Sequence, residues 1–183
     1  EAKLSDGTAP GTPLSTTGNL FTDGGVNFGA DGPADGSGVT GLVIAGSEFT
    51  PFTAGETIFL SQEASVDAAI TASTTSGANA RATLVINADG SYTFTLTDNF
   101  LLSDAGDPTA QTEDISALLG GITVLAADGD GDQVNDGNGI ALNLSVVDDV
   151  PTANATPAST ADALDEAKLS DGTAPGTPLS TTG

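Results

Sequence analysis

The first 18 residues of this chain, EAKLSDGTAPGTPLSTTG, occur again without a single change at residues 166–183. Eighteen consecutive identities indicate a tandem array with a period of 165 residues, which is the size of a whole domain rather than of a solenoid repeat. A segment copied artificially to both ends is the alternative. Under either explanation only one copy can fill a given place in a single folded unit. The other copy is loose or takes the place of a neighbouring repeat.

The order of these segments predicts how the chain is divided. We expect one β-sandwich repeat over residues 1–150, an inter-repeat linker over 151–165 and the start of the next repeat over 166–183. The linker prediction depends on the stretch 149–161, DVPTANATPASTA, whose Pro, Thr and Ala favour a semi-extended backbone. The predicted partners are neighbouring identical repeats in tandem, and we expect an isolated repeat to be monomeric.

Charge and composition exclude several classes of function. The chain has 25 Asp plus Glu against 3 Lys plus Arg, a formal net charge of −22, and no Cys, His, Met or Trp. Without Cys and His it has no thiolate nucleophile, no imidazole base and no soft metal site. Nucleic acids and anionic membranes are bound through Lys and Arg, so we expect neither as a partner. No run of 18 apolar residues is present, so we also expect no membrane insertion.

The same composition makes an enzyme improbable. A hydrolase built on paired carboxylates is the chemistry that the many Asp and Glu residues leave open. Such a site also uses cationic and imidazole groups, and this chain has one Arg and no His. Tandem copies moreover suit a spacer better than a catalyst, since length accumulates with each copy. We therefore expect a protein that is not an enzyme.

Short alternating segments predict an all-β fold. The clearest is ATLVINADGSYTFTLT (82–97), in which two alternating runs flank an Asp-Gly corner, a strong hairpin signal. Turn residues separate the other candidate strands, and this spacing is typical of a β-sandwich. These strands are predicted at 38–44, 56–62, 66–72, 121–126 and 140–147. Helical turns are predicted at 114–119 and 162–169, where Asp can cap an Ala- and Leu-rich stretch.

Carboxylates crowd into the segment DGDGD and predict a calcium site there. Asp128, Asp130 and Asp132 occupy alternate positions, and Asp136 follows closely. Their charges repel one another unless a cation lies among them, and the intervening glycines permit the turns that wrap a backbone round an ion. Oxygen ligands at this density suit Ca²⁺ first, although the spacing is not that of an EF-hand. A solvated turn between two strands is the alternative.

Three further acidic groups are weaker candidates. Asp31 and Asp35 lie in a glycine-rich loop that is either a calcium ligand or a plain turn. Carboxylates also stand at both ends of the predicted linker, where they either share an ion that stiffens the joint or only keep neighbouring repeats apart. The residues at the joint are Asp148, Asp149, Asp165 and Glu166. A last pair, Asp104 and Asp107, is expected to lie in a loop.

Three motifs together resemble a known family. They are the hairpin ADGSYTFTL (88–96), the loop FGADG (28–32) and the tail ADGDGD…LSVVDDVPTA (127–153). These motifs look like the repeated bacterial immunoglobulin-like units of giant RTX adhesins, which Gram-negative bacteria export by type I secretion. The resemblance covers most of one period, and the tail is its most specific part. The chain departs from the family after the hairpin, where Asp98-Asn99-Phe100 replaces a Leu-Asp-His type of step, and it lacks glycine-rich nonapeptide calcium repeats.

The resemblance implies an immunoglobulin-like β-sandwich with Greek-key-type antiparallel sheets and calcium-bound loops. It implies several Ca²⁺ ions, and the family pattern carries over to a set of six ligands. These are Asp31, Asp128, Asp130, Asp132, Asp148 and Asp149. The implied function is that of an extender, secreted to the cell surface of a Gram-negative bacterium, which projects an adhesive tip during biofilm formation. A calcium-dependent carbohydrate- or receptor-binding module of the same adhesin is the alternative, although one Tyr and no Trp offer little aromatic platform for a sugar.

Overall fold

The computed structural model describes residues 14–102 and 112–147, all of which belong to the unit Glu1–Val150. Within these ranges the chain forms short β-strands, two four-residue helices and two 3-10 turns. The predicted linker (151–165), the second copy of the 18-residue segment (166–183) and the helical turn at 162–169 lie outside the described residues.

The larger sheet contains five antiparallel strands, including the predicted hairpin. Its strands in chain order are β1 (Ser15–Asn19), β4 (Thr57–Gln62), β5 (Ile70–Ser73), β6 (Ala80–Ile86) and β7 (Ser91–Leu96). They lie side by side in the order β1-β7-β6-β4-β5. The β6–β7 hairpin closes where the Asn87 N–H donates to the Ser91 carbonyl at 2.8 Å, and Gly90 supplies the positive φ of 77° that the turn requires.

The second sheet contains four antiparallel strands, and a separate pair contains two. The four strands are β2 (Val39–Ile44), β3 (Ser47–Glu48), β9 (Ile122–Ala126) and β10 (Ile140–Ala141), in the order β10-β9-β2-β3. The pair consists of β8 (Thr112–Asp114) and β11 (Ser145–Val147). The strands predicted at 38–44, 56–62 and 121–126 are confirmed to within one residue at each end.

Two predicted strands differ from the observed ones for identifiable reasons. The strand predicted at 66–72 begins only at Ile70, because Asp67 has a positive φ of 58° and Val66 is 62% exposed in a turn. The strand predicted at 140–147 is divided into β10 and β11, which pair with different strands. Between them Leu142 and Leu144 are both buried, and the chain passes from the sheet that contains β9 to the pair that contains β8.

The two helices are single turns held by their caps. The helix α1 (Leu20–Asp23) follows β1 directly, and the Asn19 side chain accepts from the N–H groups of Phe21 and Thr22. The helix α2 (Ile115–Leu118) is capped by Asp114, which accepts from the Ala117 N–H at 3.0 Å. The helical turn predicted at 114–119 is therefore confirmed. Among the described residues no helix has the length and apolar character to cross a membrane.

One hydrophobic core contains residues of both larger sheets. In the hairpin, Leu84 and Ile86 of β6 and Phe94 of β7 occupy alternate positions and are buried. Leu42 of β2 and Val124 of β9 belong to the same buried cluster. An apolar layer shared by two antiparallel sheets is the arrangement of an all-β sandwich, so the predicted fold class is confirmed at that level.

Candidate metal centre

Two acidic loops that are remote in sequence leave the second sheet at the same end. The first acidic loop (31–38) precedes β2, and the second acidic loop (127–139) follows β9. Val39, at the start of β2, pairs with Ala126, at the end of β9, in antiparallel register. Because antiparallel neighbours bring the start of one strand beside the end of the other, the fold places the two loops next to each other.

Backbone hydrogen bonds join the two loops directly. The N–H of Ala34 donates to the carbonyl of Ala127 at 2.9 Å, and the N–H of Gly129 donates to the carbonyl of Gly32 at 2.8 Å. Gly129 has no room for a side chain, since a Cβ there would lie 2.6 Å from the carbonyl oxygen of Asp31. The close approach of the loops therefore depends on glycine at this position.

This approach gathers three carboxylates. Asp31 of the first acidic loop and Asp128 and Asp130 of the second each place a carboxylate oxygen within 4.8 Å of the others. Asp31 and Asp130 are exposed, and Asp128 is half-buried. We refer to these three residues as the carboxylate cluster. It combines members of two acidic groups that the sequence analysis had treated separately.

Asp128 organises the second acidic loop. Its Oδ1 accepts from the N–H of Asp132 at 2.9 Å, and its own N–H donates to the Asp132 carbonyl at 3.0 Å. The N–H of Gly131 also donates to the Asp128 carbonyl at 3.1 Å. The loop is thus folded back on itself through the backbone and carboxylate of Asp128.

The electrostatics of the cluster show unrelieved repulsion. A hydrogen bond from the Asp130 carboxyl lowers the pKa of Asp128, and backbone N–H groups of the loop act in the same direction. The same hydrogen bond raises the pKa of Asp130, and the negative charges of Asp128 and Asp132 raise it further. The raised pKa of Asp130 means that its ionised form is disfavoured beside the other two carboxylates. A divalent cation would relieve the same repulsion with all three groups ionised.

The other predicted ligands within the described residues lie outside the cluster. Asp35 and Asp136 are exposed in the two 3-10 turns, Ala34–Gly36 and Val134–Gly137, and both have positive φ values, of 48° and 52°. Asp132 contributes its backbone to the loop, but its carboxylate is not part of the group of three. The predicted ligands Asp148, Asp149, Asp165 and Glu166, and the loop residues Asp104 and Asp107, lie outside the described residues.

The described part of the chain supplies no positive side chain to the cluster. Its one Lys or Arg residue is Arg81, whose guanidinium binds the carboxylate of Asp98 at 2.6 Å. That pair lies at the junction of β6 with the segment after β7, where the N–H groups of Thr97 and Asp98 donate to the Arg81 carbonyl. The charge of the cluster is therefore left to solvent or to an ion.

A cleft of about 600 Å³ borders the second acidic loop. Asp128 and Asp132 line it together with amide and apolar side chains from the segments 24–28 and 133–141. These further lining residues include Asn27, Phe28, Gln133, Asn135 and Ile140. The sequence analysis did not assign a role to Asn27 or Gln133, because an isolated amide carries no pattern. Phe28 was noted only as part of the FGADG motif and was given no separate role.

Comparisons of this chain with protein-family models, with curated proteins and with solved structures find no match. What the centre can bind therefore follows from its own residues.

Proposed function

We propose that this chain is a calcium-stabilised, non-catalytic repeat that acts as a structural extender of a large cell-surface adhesin. One observation carries the proposal. Asp31 meets Asp128 and Asp130 in a single cluster, although the two acidic loops stand at opposite ends of the sequence of the sandwich. An ion bound there ties the loop before β2 to the loop after β9.

The chemistry of the cluster favours a hard cation. Three carboxylates are oxygen ligands, and Ca²⁺ takes six to eight such oxygens at about 2.3–2.6 Å. Two oxygens on opposite sides of an ion are then up to about 5 Å apart, so carboxylate oxygens that lie within 4.8 Å of one another can share one ion. Mg²⁺ demands a tighter octahedron and keeps more of its water, so a partly exposed group of carboxylates suits Ca²⁺ better.

Calcium binding would contribute a large share of the stability of such a domain. Each ion bound only by the folded state adds RT ln(1 + [L]/Kd), about 2.7 kcal/mol at a hundredfold excess over Kd. A small domain has roughly 5–15 kcal/mol in total. With a net charge of −22, the ion-free chain is also destabilised by self-repulsion. We therefore propose that the chain is largely unfolded inside the cell, where calcium is scarce, and that it folds after secretion.

The extender role rests on the tandem repetition and on the resemblance to repeats of giant RTX adhesins. An immunoglobulin-like, Greek-key arrangement of the strands belongs to this proposal. A module whose identical neighbours follow one another adds length with each copy, and ions at the joints would make the array a rod. Its place is then the exterior of a Gram-negative cell, between the surface and an adhesive tip.

The cleft beside the second acidic loop favours one competing function. A calcium ion held by Asp128 at its rim, with Asn27 and Gln133 as hydrogen-bonding groups and Phe28 as an apolar surface, has the components of a calcium-dependent sugar site. Glycan-array binding by the isolated unit in calcium separates this function from a spacer. Specific binding that is lost on chelation supports the sugar site, and its absence supports the extender.

Calcium titration of the chain, followed by circular dichroism and thermal unfolding, tests the proposal. We expect Tm to rise by roughly 10 °C at a hundredfold excess of calcium over Kd, to fall again with a chelator and to respond less to Mg²⁺. A Tm that is indifferent to the chelator contradicts the calcium role. The extender role has its own measurement, since small-angle scattering of a two-repeat protein must show a longer particle with calcium than without.

A further inference from the structure

We propose that the edge of β7 now covered by β1 is a strand-acceptor site for residues 179–183 (LSTTG) of a second copy of this chain. The strand β1 begins inside the duplicated 18-residue segment, because Ser15–Asn19 overlaps residues 14–18, LSTTG. Residues 179–183, called here the second strand copy, have the same sequence. Any contact that depends on residues 14–18 is therefore available to them.

The contacts between β1 and β7 are specific in register. The Leu96 N–H donates to the Leu14 carbonyl at 2.8 Å, and the hydroxyl groups of Ser15 and Thr95 lie 2.8 Å apart. Leu14 also packs against the core. The second strand copy supplies the same leucine and serine in the same order, so only this register returns the leucine to the core and the serine to Thr95.

Gly18 makes the site selective. It lies opposite Tyr92, and a Cβ at this position would stand 2.7 Å from the tyrosine ring. A strand with any side chain there must displace the ring, whereas the second strand copy has a glycine, Gly183, at the equivalent place. The site therefore favours a strand that has glycine at this position.

Residues beyond the duplicated segment decide when exchange occurs. Leu20 is buried, its N–H donates to the Gly90 carbonyl at 2.9 Å, and the Asn19 side chain donates to the Asp89 carbonyl at 3.1 Å. These contacts hold β1 in place in dilute solution. At high local concentration the identical segment of another copy competes for the same edge, which is a known route to misassembly among repeats.

Disulfide trapping tests the exchange. The chain has no cysteine of its own, so any disulfide must join the two introduced cysteines. Leu14 and Leu96 form the hydrogen-bonded pair, so Ser15 and Thr95 are the neighbouring non-hydrogen-bonded pair. Their Cα atoms are then about 4.5 Å apart, within disulfide range. The test protein is the full chain with Thr95→Cys and Ser180→Cys, equilibrated in a thiol redox buffer at increasing protein concentration. Non-reducing gels and mass spectrometry detect the cross-link.

We expect a disulfide-linked dimer whose fraction rises with concentration. The matched control is Thr95→Cys with Thr181→Cys, whose cysteine is one residue out of register and should lose the cross-link. Ser15→Cys with Thr95→Cys must give a monomeric cross-link and reports that the sheet is folded. A dimer that forms equally well with Thr181→Cys, or the absence of any dimer, overturns the proposal. A cross-link confined within one chain also overturns it, since the segment then returns to its own domain.

A pair of glycine substitutions tests the selectivity independently. Adding Gly183→Val to the Thr95→Cys, Ser180→Cys protein should lower the dimer fraction, because the new side chain must displace the Tyr92 ring of the acceptor. This change lies outside β1, so the sequence of the resident strand is unchanged. Adding Gly18→Val instead weakens the resident strand and should raise the dimer fraction. Unchanged dimer with Gly183→Val contradicts the proposed site.

Discussion

The backbone N–H of Gly129 donates to the carbonyl oxygen of Gly32 at 2.8 Å, and this bond ties two acidic loops that flank the β2–β9 strand pair. Its consequence is electrostatic. The bond brings Asp31 within reach of Asp128 and Asp130, and no Lys or Arg of residues 14–102 and 112–147 lies in that group. A cation bound among the three carboxylates would offset this repulsion.

Substitution of Asp130 by Asn should have opposite effects with and without calcium. In a chelator the change removes a charge that the neighbouring carboxylates oppose, as the raised pKa of Asp130 indicates, so Tm should increase. In calcium the protein loses a ligand, and we expect at least tenfold weaker binding, about 1.4 kcal/mol. Thermal unfolding in chelator and in calcium measures whether the effect of the substitution on Tm changes sign. The control is Glu48→Gln, which removes an exposed charge in β3. Its effect on Tm should have the same sign with and without calcium.

Substitution of Gly129 by Ala should abolish the calcium response without removing any carboxylate. The new Cβ would lie 2.6 Å from the Asp31 carbonyl oxygen, so the loops must separate, at a cost of about 1–3 kcal/mol. Gly77→Ala is the matched control, because the nearest atom to its Cβ is 3.9 Å away. Denaturant titration with and without calcium measures the free energy of unfolding of both variants. If calcium raised the free energy of unfolding of Gly129→Ala as much as that of the wild type, the link between loop contact and calcium binding would be disproved.

The hairpin turn should contribute a pH-dependent term to stability. Hydrogen bonds from the Ser91 hydroxyl and N–H lower the pKa of Asp89 from its ordinary value of 3.8. A lowered folded-state pKa adds stability that is present above the unfolded pKa and disappears as pH falls through the folded one. The advantage of wild type over Asp89→Asn should therefore be full near pH 7 and shrink below about pH 3.8. Urea midpoints in a chelator measure it, and a difference that grows on acidification contradicts this assignment.

The Arg81–Asp98 pair should respond asymmetrically to substitution. The Arg81 side chain is 10% exposed and its Nε is buried without a hydrogen-bond partner among the described residues, whereas Asp98 is 49% exposed. Asp98→Ala leaves a buried guanidinium uncompensated and should cost about 3 kcal/mol. Arg81→Met leaves a carboxylate that water can reach and should cost less than about 1 kcal/mol. Equal losses in chemical denaturation would show that the pair acts only through packing.

Local signals predicted much of the fold. The β6–β7 hairpin and the cap of α2 follow from residues within a few positions of one another, such as the Asp89-Gly90 corner and Asp114 before its helix. By contrast β1 was not predicted, because STTGN has neither alternation nor a large apolar residue. It is a strand through pairing with β7, a partner far along the chain.

The candidate site likewise combines residues predicted from local sequence with an arrangement that only the fold determines. Asp128 and Asp130 were predicted from the density of carboxylates in one loop. Asp31 was predicted as a ligand too, but its meeting with Asp128 and Asp130 depends on how β2 and β9 pair. No spacing within either loop contains that information, since it arises from contacts between remote segments. The composition predicted the type of ligand, and the sheet register decided which oxygens meet.

Anomalous diffraction from crystals grown with ample Ca²⁺ tests the central claim most directly. The account predicts a calcium peak among the carboxylates of Asp31, Asp128 and Asp130, with each oxygen about 2.3–2.6 Å away. Ordered acidic loops with the same Gly129–Gly32 hydrogen bond and no peak between them would contradict it.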